Sequence, residues 1–155
     1  MLKAKVIVIG KLKEEGYRLL EQEYLKRLKP FGKIEIVEIR ETPYYEETAS
    51  EAAREEEAGK IEKLLVTKNN TVILSEEGRQ MSSAEFAKFL SSFESTGQEV
   101  VFVIGSSSGL SGRIKKQGKL VSLGKITLPH NLARIVLLEQ IYRGLTINSG
   151  KIYHK

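Results

Sequence analysis

Three groups of residues near the end of the sequence have the types and spacing for chemistry. Gly105-Ser-Ser-Ser-Gly109 and Gly124-Lys-Ile-Thr-Leu-Pro129 are runs of small and apolar residues whose backbone can approach a ligand and offer it N–H and C=O groups. Around them runs a series of cations. From Leu110 to Lys155 there are nine Lys or Arg against one acid, Glu139. The whole chain carries a formal charge of only +5, so this last third is +8 and residues 1–109 sum to −3. Such asymmetry marks a face for a polyanion. Arg143, Tyr153 and His154 add a guanidinium, a phenol and an imidazole, groups that stack on a base, donate hydrogen bonds or move a proton.

Other chemistries are excluded by what the chain lacks. No Gly-Lys-Ser/Thr follows Gly105–Gly109, and the glycine spacing is not that of a dinucleotide fingerprint. Cys is absent, all 20 acids are Glu, and the histidines are His130 and His154 alone. A disulfide, a thiolate or zinc site, a cysteine nucleophile and a Ser-His-Asp triad are therefore not expected. No apolar run approaches a membrane span and no secretory leader pattern opens the chain, so a cytoplasmic protein with no membrane partner is expected. A length of 155 residues, with 41% hydrophobic and 29% charged residues, fits one globular domain over residues 1–155.

The elements that must position these groups alternate. Lys3–Gly10, Ile34–Ile39, Thr71–Leu74, Glu99–Ile104 and Leu120–Leu123 read as strands. Glu14–Lys29 reads as a helix with Leu19, Leu20, Leu25 and Leu28 on its apolar face, ended by Pro30. Ser50–Leu65 follows with Ser50 as N-cap, then a helix capped by Ser82 or Ser83 carrying Phe86, Phe89, Leu90 and Phe93. A short basic helix and Asn131–Ile147 complete the set. Glu99–Ile104, the most hydrophobic strand, is expected at the centre. Five β-α units predict an α/β fold with a mainly parallel sheet and helices on both faces. Ligands bind such sheets beyond the carboxyl ends of strands, here Leu74-Ser75, Ile104-Gly105 and Leu123-Gly124.

Each motif also has a plain reading. Gly105–Gly109 can be an ordinary β-α turn, Arg113, Lys115, Lys116 and Lys119 a solvated helix face, and Glu139–Arg143 an i, i+4 ion pair. A terminal Tyr-His-Lys is ordinarily a frayed tail. His130, next to Pro129, reads as a residue that shapes the second loop.

Val103–Leu110, Ile126–His130, Arg134, Glu139–Arg143 and Tyr153–Lys155, together with Leu2–Gly10 and Val72–Gly78, resemble the ribosomal large-subunit pseudouridine methyltransferase H family, minimal members of the knotted SPOUT methyltransferases. Ser106 stands where that family has a second glycine, and Ile152 where a proline is common. The resemblance implies a C-terminal trefoil knot from about residue 100 onward, with the threaded loop forming the cofactor pocket. It implies S-adenosylmethionine held by Leu74, Gly105, Ser106 and Gly124 through Lys125, Ile126, Thr127 and Leu128 to Pro129. It also implies a tail folded over that cofactor, Arg143 facing the active site, and a homodimer through part of the stripe Leu132, Ile135, Val136, Leu138 and Ile141.

The resulting expectation is a metal-independent enzyme that methylates N3 of a pseudouridine in 23S ribosomal RNA, naked or in an assembled ribosome. Arg143, Tyr153 and His154 would act at the base, and Arg113, Lys115, Lys116 and Lys119 on RNA phosphates, which position but do not select. Two rivals stay open: a knotted methyltransferase acting on a ribose hydroxyl or a tRNA base, and a non-enzymatic RNA-binding or ribosome-assembly protein.

Overall fold

The first strand, β1 (Leu2–Ile9), alternates between two cores. Leu2, Ala4, Val6 and Val8 face one hydrophobic cluster, and Ile7 and Ile9 face another. A strand buried on both sides in this way belongs inside a sheet covered by helices on both faces. The computed structural model describes residues 1–153 and has that architecture. Its five strands are β1, β2 (Gly32–Ile39), β3 (Thr71–Gln80), β4 (Val100–Ile104) and β5 (Lys119–Ser122), in the order β2-β1-β4-β3-β5. Every pairing is parallel. The strand expected at the centre is β4, whose five residues are all buried.

Helices α1 (Glu15–Leu28), α3 (Ser83–Thr96) and α5 (His130–Asn148) close the first core with Leu28, Phe86, Leu90, Leu137, Leu138 and Ile141. Helix α2 (Ser50–Glu62) and the single turn α4 (Gly112–Lys115) close the second with Ala58, Ile61 and Ile114. Ser82 caps α3: its hydroxyl accepts from the Glu85 N–H, and the Glu85 carboxylate accepts from the Ser82 N–H, a reciprocal capping box.

Three local expectations are corrected. Ser50 is not the N-cap of α2; Ala49 holds that position, and a 3₁₀ turn over Glu47–Ala49 leads into the helix, so Ser50 is its buried first residue. On α1, Leu19 and Leu20 are exposed, at 58% and 46%. Tyr24, Leu25 and Leu28 pack on the core instead, because α1 lies mainly against α5 and only lightly against the sheet, at β2. Strand β3 does not stop at Leu74 but resumes pairing with β5 at Arg79 after a bulge. Gly78 makes the return possible, since a Cβ there would lie 2.5 Å from the Val121 backbone.

Candidate active site

The β3 bulge and the carboxyl ends of β4 and β5 meet at one edge of the sheet, and with the segments that follow them they enclose a cavity of about 800 Å³. The first wall is the β3 bulge, Leu74–Glu77. The second is the loop after β4. There the Gly109 N–H donates to the Ser106 carbonyl at 2.9 Å in a tight turn, with Gly109 at φ +83°. Gly105 packs so closely that a Cβ would meet Leu110 Cγ at 2.8 Å and the Gly109 carbonyl carbon at 2.9 Å. Ser106, at the family's glycine position, is buried with its hydroxyl 2.9 Å from that of Ser108. Its side chain is thus accommodated within the turn. Arg54 of α2 braces the same loop by donating to the Ser108 carbonyl at 3.3 Å.

The third wall is the segment from β5 to α5. Ser122 organises it: its hydroxyl donates to the Gly124 carbonyl at 2.9 Å and accepts from the Gly124 N–H at 3.2 Å. Gly124 has φ +136°, a conformation that side chains resist. Ile126 projects at 75% exposure on the rim, and Leu128 is half-buried on the wall.

Of the residues expected to hold the cofactor, Leu74, Gly105, Ser106, Gly124, Ile126, Thr127, Leu128 and Pro129 line this cavity, while Lys125 is exposed and does not. His130 lines it too. Glu76 and Glu77 at the mouth were missed. Glu76 accepts from the Thr127 hydroxyl at 3.2 Å, and Glu77 pairs with Lys115 at 3.2 Å, so the bulge is tied to both other walls. The signal for them was available in the Glu-Glu-Gly run, whose glycine marks a bulge.

The basic set does not form one patch. Arg113 pairs with Glu55 at 3.5 Å and Glu62 at 3.1 Å on α2, and Lys115 with Glu77. Lys119 lies over Phe93 and Phe89, 5.5 and 5.8 Å from their centroids, and Lys116 is exposed. Arg134 is buried and bound by Glu21 and Glu38, bidentate to the first and at 3.2 Å from the second.

Arg143 and Tyr153 come together away from the cavity. The Arg143 guanidinium donates to Glu139 Oε1 at 2.7 and 2.9 Å and lies 4.8 Å from the Tyr153 ring centroid. The Glu139 hydrogen bond raises the Arg143 pKa further, so it stays cationic at any working pH. Tyr153 stands edge-on to Tyr142 at 4.7 Å and donates to Glu139 at 3.4 Å. It packs on α5 and is not part of the cavity wall of its own chain. His154 lies outside the described residues.

A family model described as "Predicted SPOUT methyltransferase" matches residues 2–154. The chain belongs to the SPOUT methyltransferases. Within them it falls in the ribosomal large-subunit methyltransferase H family. It is 44% identical to "Ribosomal RNA large subunit methyltransferase H" of Caldicellulosiruptor saccharolyticus over 97% of this chain and 99% of that protein. Proteins of the same name from Lactobacillus helveticus and Oenococcus oeni are 39% and 38% identical, over 97% and 100% of this chain and 98% and 100% of their own lengths. For a SPOUT methyltransferase the donor is S-adenosylmethionine, and the cavity has the features to take it. It combines apolar walls (Leu74, Ile104, Leu110, Leu128), tightly packed backbone at Gly105, the positive-φ turn at Gly124, and the carboxylates Glu76 and Glu77 at the mouth. Among the described residues no group of three or more His, Cys, Asp or Glu is placed to hold a metal, and no helix is long and apolar enough to cross a membrane.

Proposed function

We propose that this protein transfers the methyl group of S-adenosylmethionine to N3 of a pseudouridine in 23S ribosomal RNA. It would act in the cytoplasm as a homodimer, each chain being one catalytic domain, with a trefoil from about residue 100 onward. The observation that carries this reading is the cavity, built from the segments that the family resemblance assigns to the cofactor. The names of the relatives supply large-subunit ribosomal RNA, and the family resemblance supplies N3 of a pseudouridine.

The cofactor brings an activated methyl on a sulfonium, so the protein's work is alignment and desolvation. Leu74, Ser106 and Gly124–Pro129 would hold it, with backbone groups reading the adenine. The acceptor nitrogen carries an imide proton that must leave. Arg143, Tyr153 and His154 would orient the base and stabilise charge on its carbonyls, the guanidinium as a fixed cation and the tyrosine ring as a stacking surface.

The positions of these groups support the dimer. Ala133 lines the cavity and Arg143 is ten residues further along α5, about 15 Å away at the helical rise. One chain alone holds the two halves too far apart to act on one methyl group. A two-fold partner running the other way would bring its Arg143 and Tyr153 to this cavity. Half-buried Leu132 and Val136, with exposed Leu19 and Leu20, offer the apolar surface for it.

Calorimetry with S-adenosylmethionine, combined with light scattering, tests the reading. Micromolar binding to a dimer is expected; no binding, or full activity as a monomer, contradicts it.

A further inference from the structure

Arg143 and Tyr153 are one end of a larger cluster that spans the ends of α1 and α5. Tyr142 is its hub. It meets Tyr153 at 4.7 Å, Phe31 edge-on at 5.8 Å and Tyr24 at 6.4 Å between centroids. Two further cations lie on these rings. The Arg27 guanidinium is 5.7 Å from the Tyr24 centroid and 5.9 Å from that of Tyr142, and Lys151 Nζ is 4.6 Å from that of Phe31. Tyr24, Phe31, Tyr142 and Tyr153 are all partly open to solvent, while Arg27 and Lys151 are exposed.

Each region has an exposed cation without a carboxylate partner among the described residues, Lys116 beside α4 and Lys151 here. Arg113 and Lys115 spend their charge on Glu55, Glu62 and Glu77. At the α1–α5 end Arg27 has the exposed Glu23 as its ion-pair partner, and no carboxylate among the described residues pairs with Lys151. Exposed Lys26 and Lys29 adjoin them on the chain. Cations interleaved with accessible ring faces are the arrangement that binds single-stranded nucleic acid: bases stack on the rings and phosphates meet the cations.

Resting on the activity proposed above, we propose that this surface is where the RNA strand flanking the target nucleotide lies, with Arg27 and Lys151 on its phosphates. The surface runs directly into Arg143 and Tyr153, so a strand held on it delivers its unstacked nucleotide to the residues assigned to the base. Tyr142 is then a positioning residue, holding Tyr153 while its other neighbours carry the strand.

The test measures binding of a single-stranded 23S RNA fragment by the double variant Arg27→Gln/Lys151→Gln, with Lys63→Gln, an exposed cation just after α2, as control. Loss of two phosphate contacts should weaken binding about tenfold near physiological salt and lower the slope of log K against log salt by about 1.4. S-adenosylmethionine affinity and the sedimentation coefficient should not change, and Lys63→Gln should match wild type. An unchanged RNA affinity and salt slope would overturn the proposal. So would a change in sedimentation, which would assign the face to a protein contact. RNA binding is read directly, so RNA held through these residues without methyl transfer would uphold the surface while overturning the activity.

Discussion

Ala133 and Arg143 share one helix, yet the first lines the cavity and the second sits against Tyr153 with about 15 Å of α5 between them. Mixed dimers exploit that separation. A variant damaged only in the cavity and one damaged only at Arg143 should each be inactive as pure dimers. Refolded together, they should recover about a quarter of wild-type activity, since half of randomly assorted dimers carry one intact shared site. A mixture no more active than its components would place both halves in one chain.

Gly124 offers a direct probe of the cavity. No atom lies within 4 Å of a Cβ added there, but its φ of +136° is strained for any side chain. Gly124→Ala should shift the β5–α5 loop and weaken S-adenosylmethionine binding at least about tenfold, in keeping with the usual cost of such strain. Gly105→Ala is a less specific test, because its Cβ would strike Leu110 and Gly109 and disturb the turn itself. Calorimetry on folded Gly124→Ala decides, with an unchanged Kd counting against the assignment.

At the other end, Arg143→Ala, Tyr153→Ala and His154→Ala should keep the fold and cofactor affinity while slowing single-turnover methylation by about 10²-fold or more, the usual scale for such groups. Arg143 is held charged by Glu139, so it contributes no inflection to the pH–rate profile. A profile that flattens near neutrality in His154→Ala alone would identify that imidazole as the base. Wild-type rates in the Tyr153 and His154 variants would return the tail to a merely terminal role.

Stability has its own probe in Glu57, which is 3% exposed and accepts from the Thr42 N–H at 3.2 Å. Burial raises its carboxyl pKa above the ordinary range, opposed by that hydrogen bond. A raised folded-state pKa means that the favourable contribution is complete below the ordinary carboxylate range and is lost as pH rises through the folded value. Glu57→Gln keeps an acceptor for Thr42 without the buried charge. It should melt higher than wild type at neutral pH and level with it in acid; a lower Tm at neutral pH contradicts this.

Arg134 predicts the opposite sign. Replacing it with Met leaves Glu21 and Glu38 facing each other without their shared cation, which should cost about 3 kcal/mol in urea denaturation. A loss below half that value would mean the carboxylates relax into solvent.

Much of this was legible in the sequence because it is local. The run Val100–Ile104 is buried on both faces and so had to be central, and Ser82 with Glu85 writes its own capping box. The loops that wall the cavity announce themselves by glycine at strand ends. What escaped depends on contacts between distant segments. Strand β3 resumes after Leu74 only because Gly78 fits against Val121, and no periodicity within residues 71–80 encodes that neighbour. Cations counted along the chain looked unpaired, yet Arg113 finds its acids on α2, more than fifty residues earlier. Leu19 and Leu20 follow a helical apolar pattern but face outward, where a second chain rather than the core would explain them.

The most direct test incubates the purified protein with methyl-labelled S-adenosylmethionine and ribosomes from a strain lacking the corresponding gene, then maps the label by nuclease digestion and mass spectrometry. One methyl group at N3 of a pseudouridine in 23S RNA is the predicted result. A methyl on a ribose hydroxyl, on transfer RNA, or on nothing at all would contradict the account.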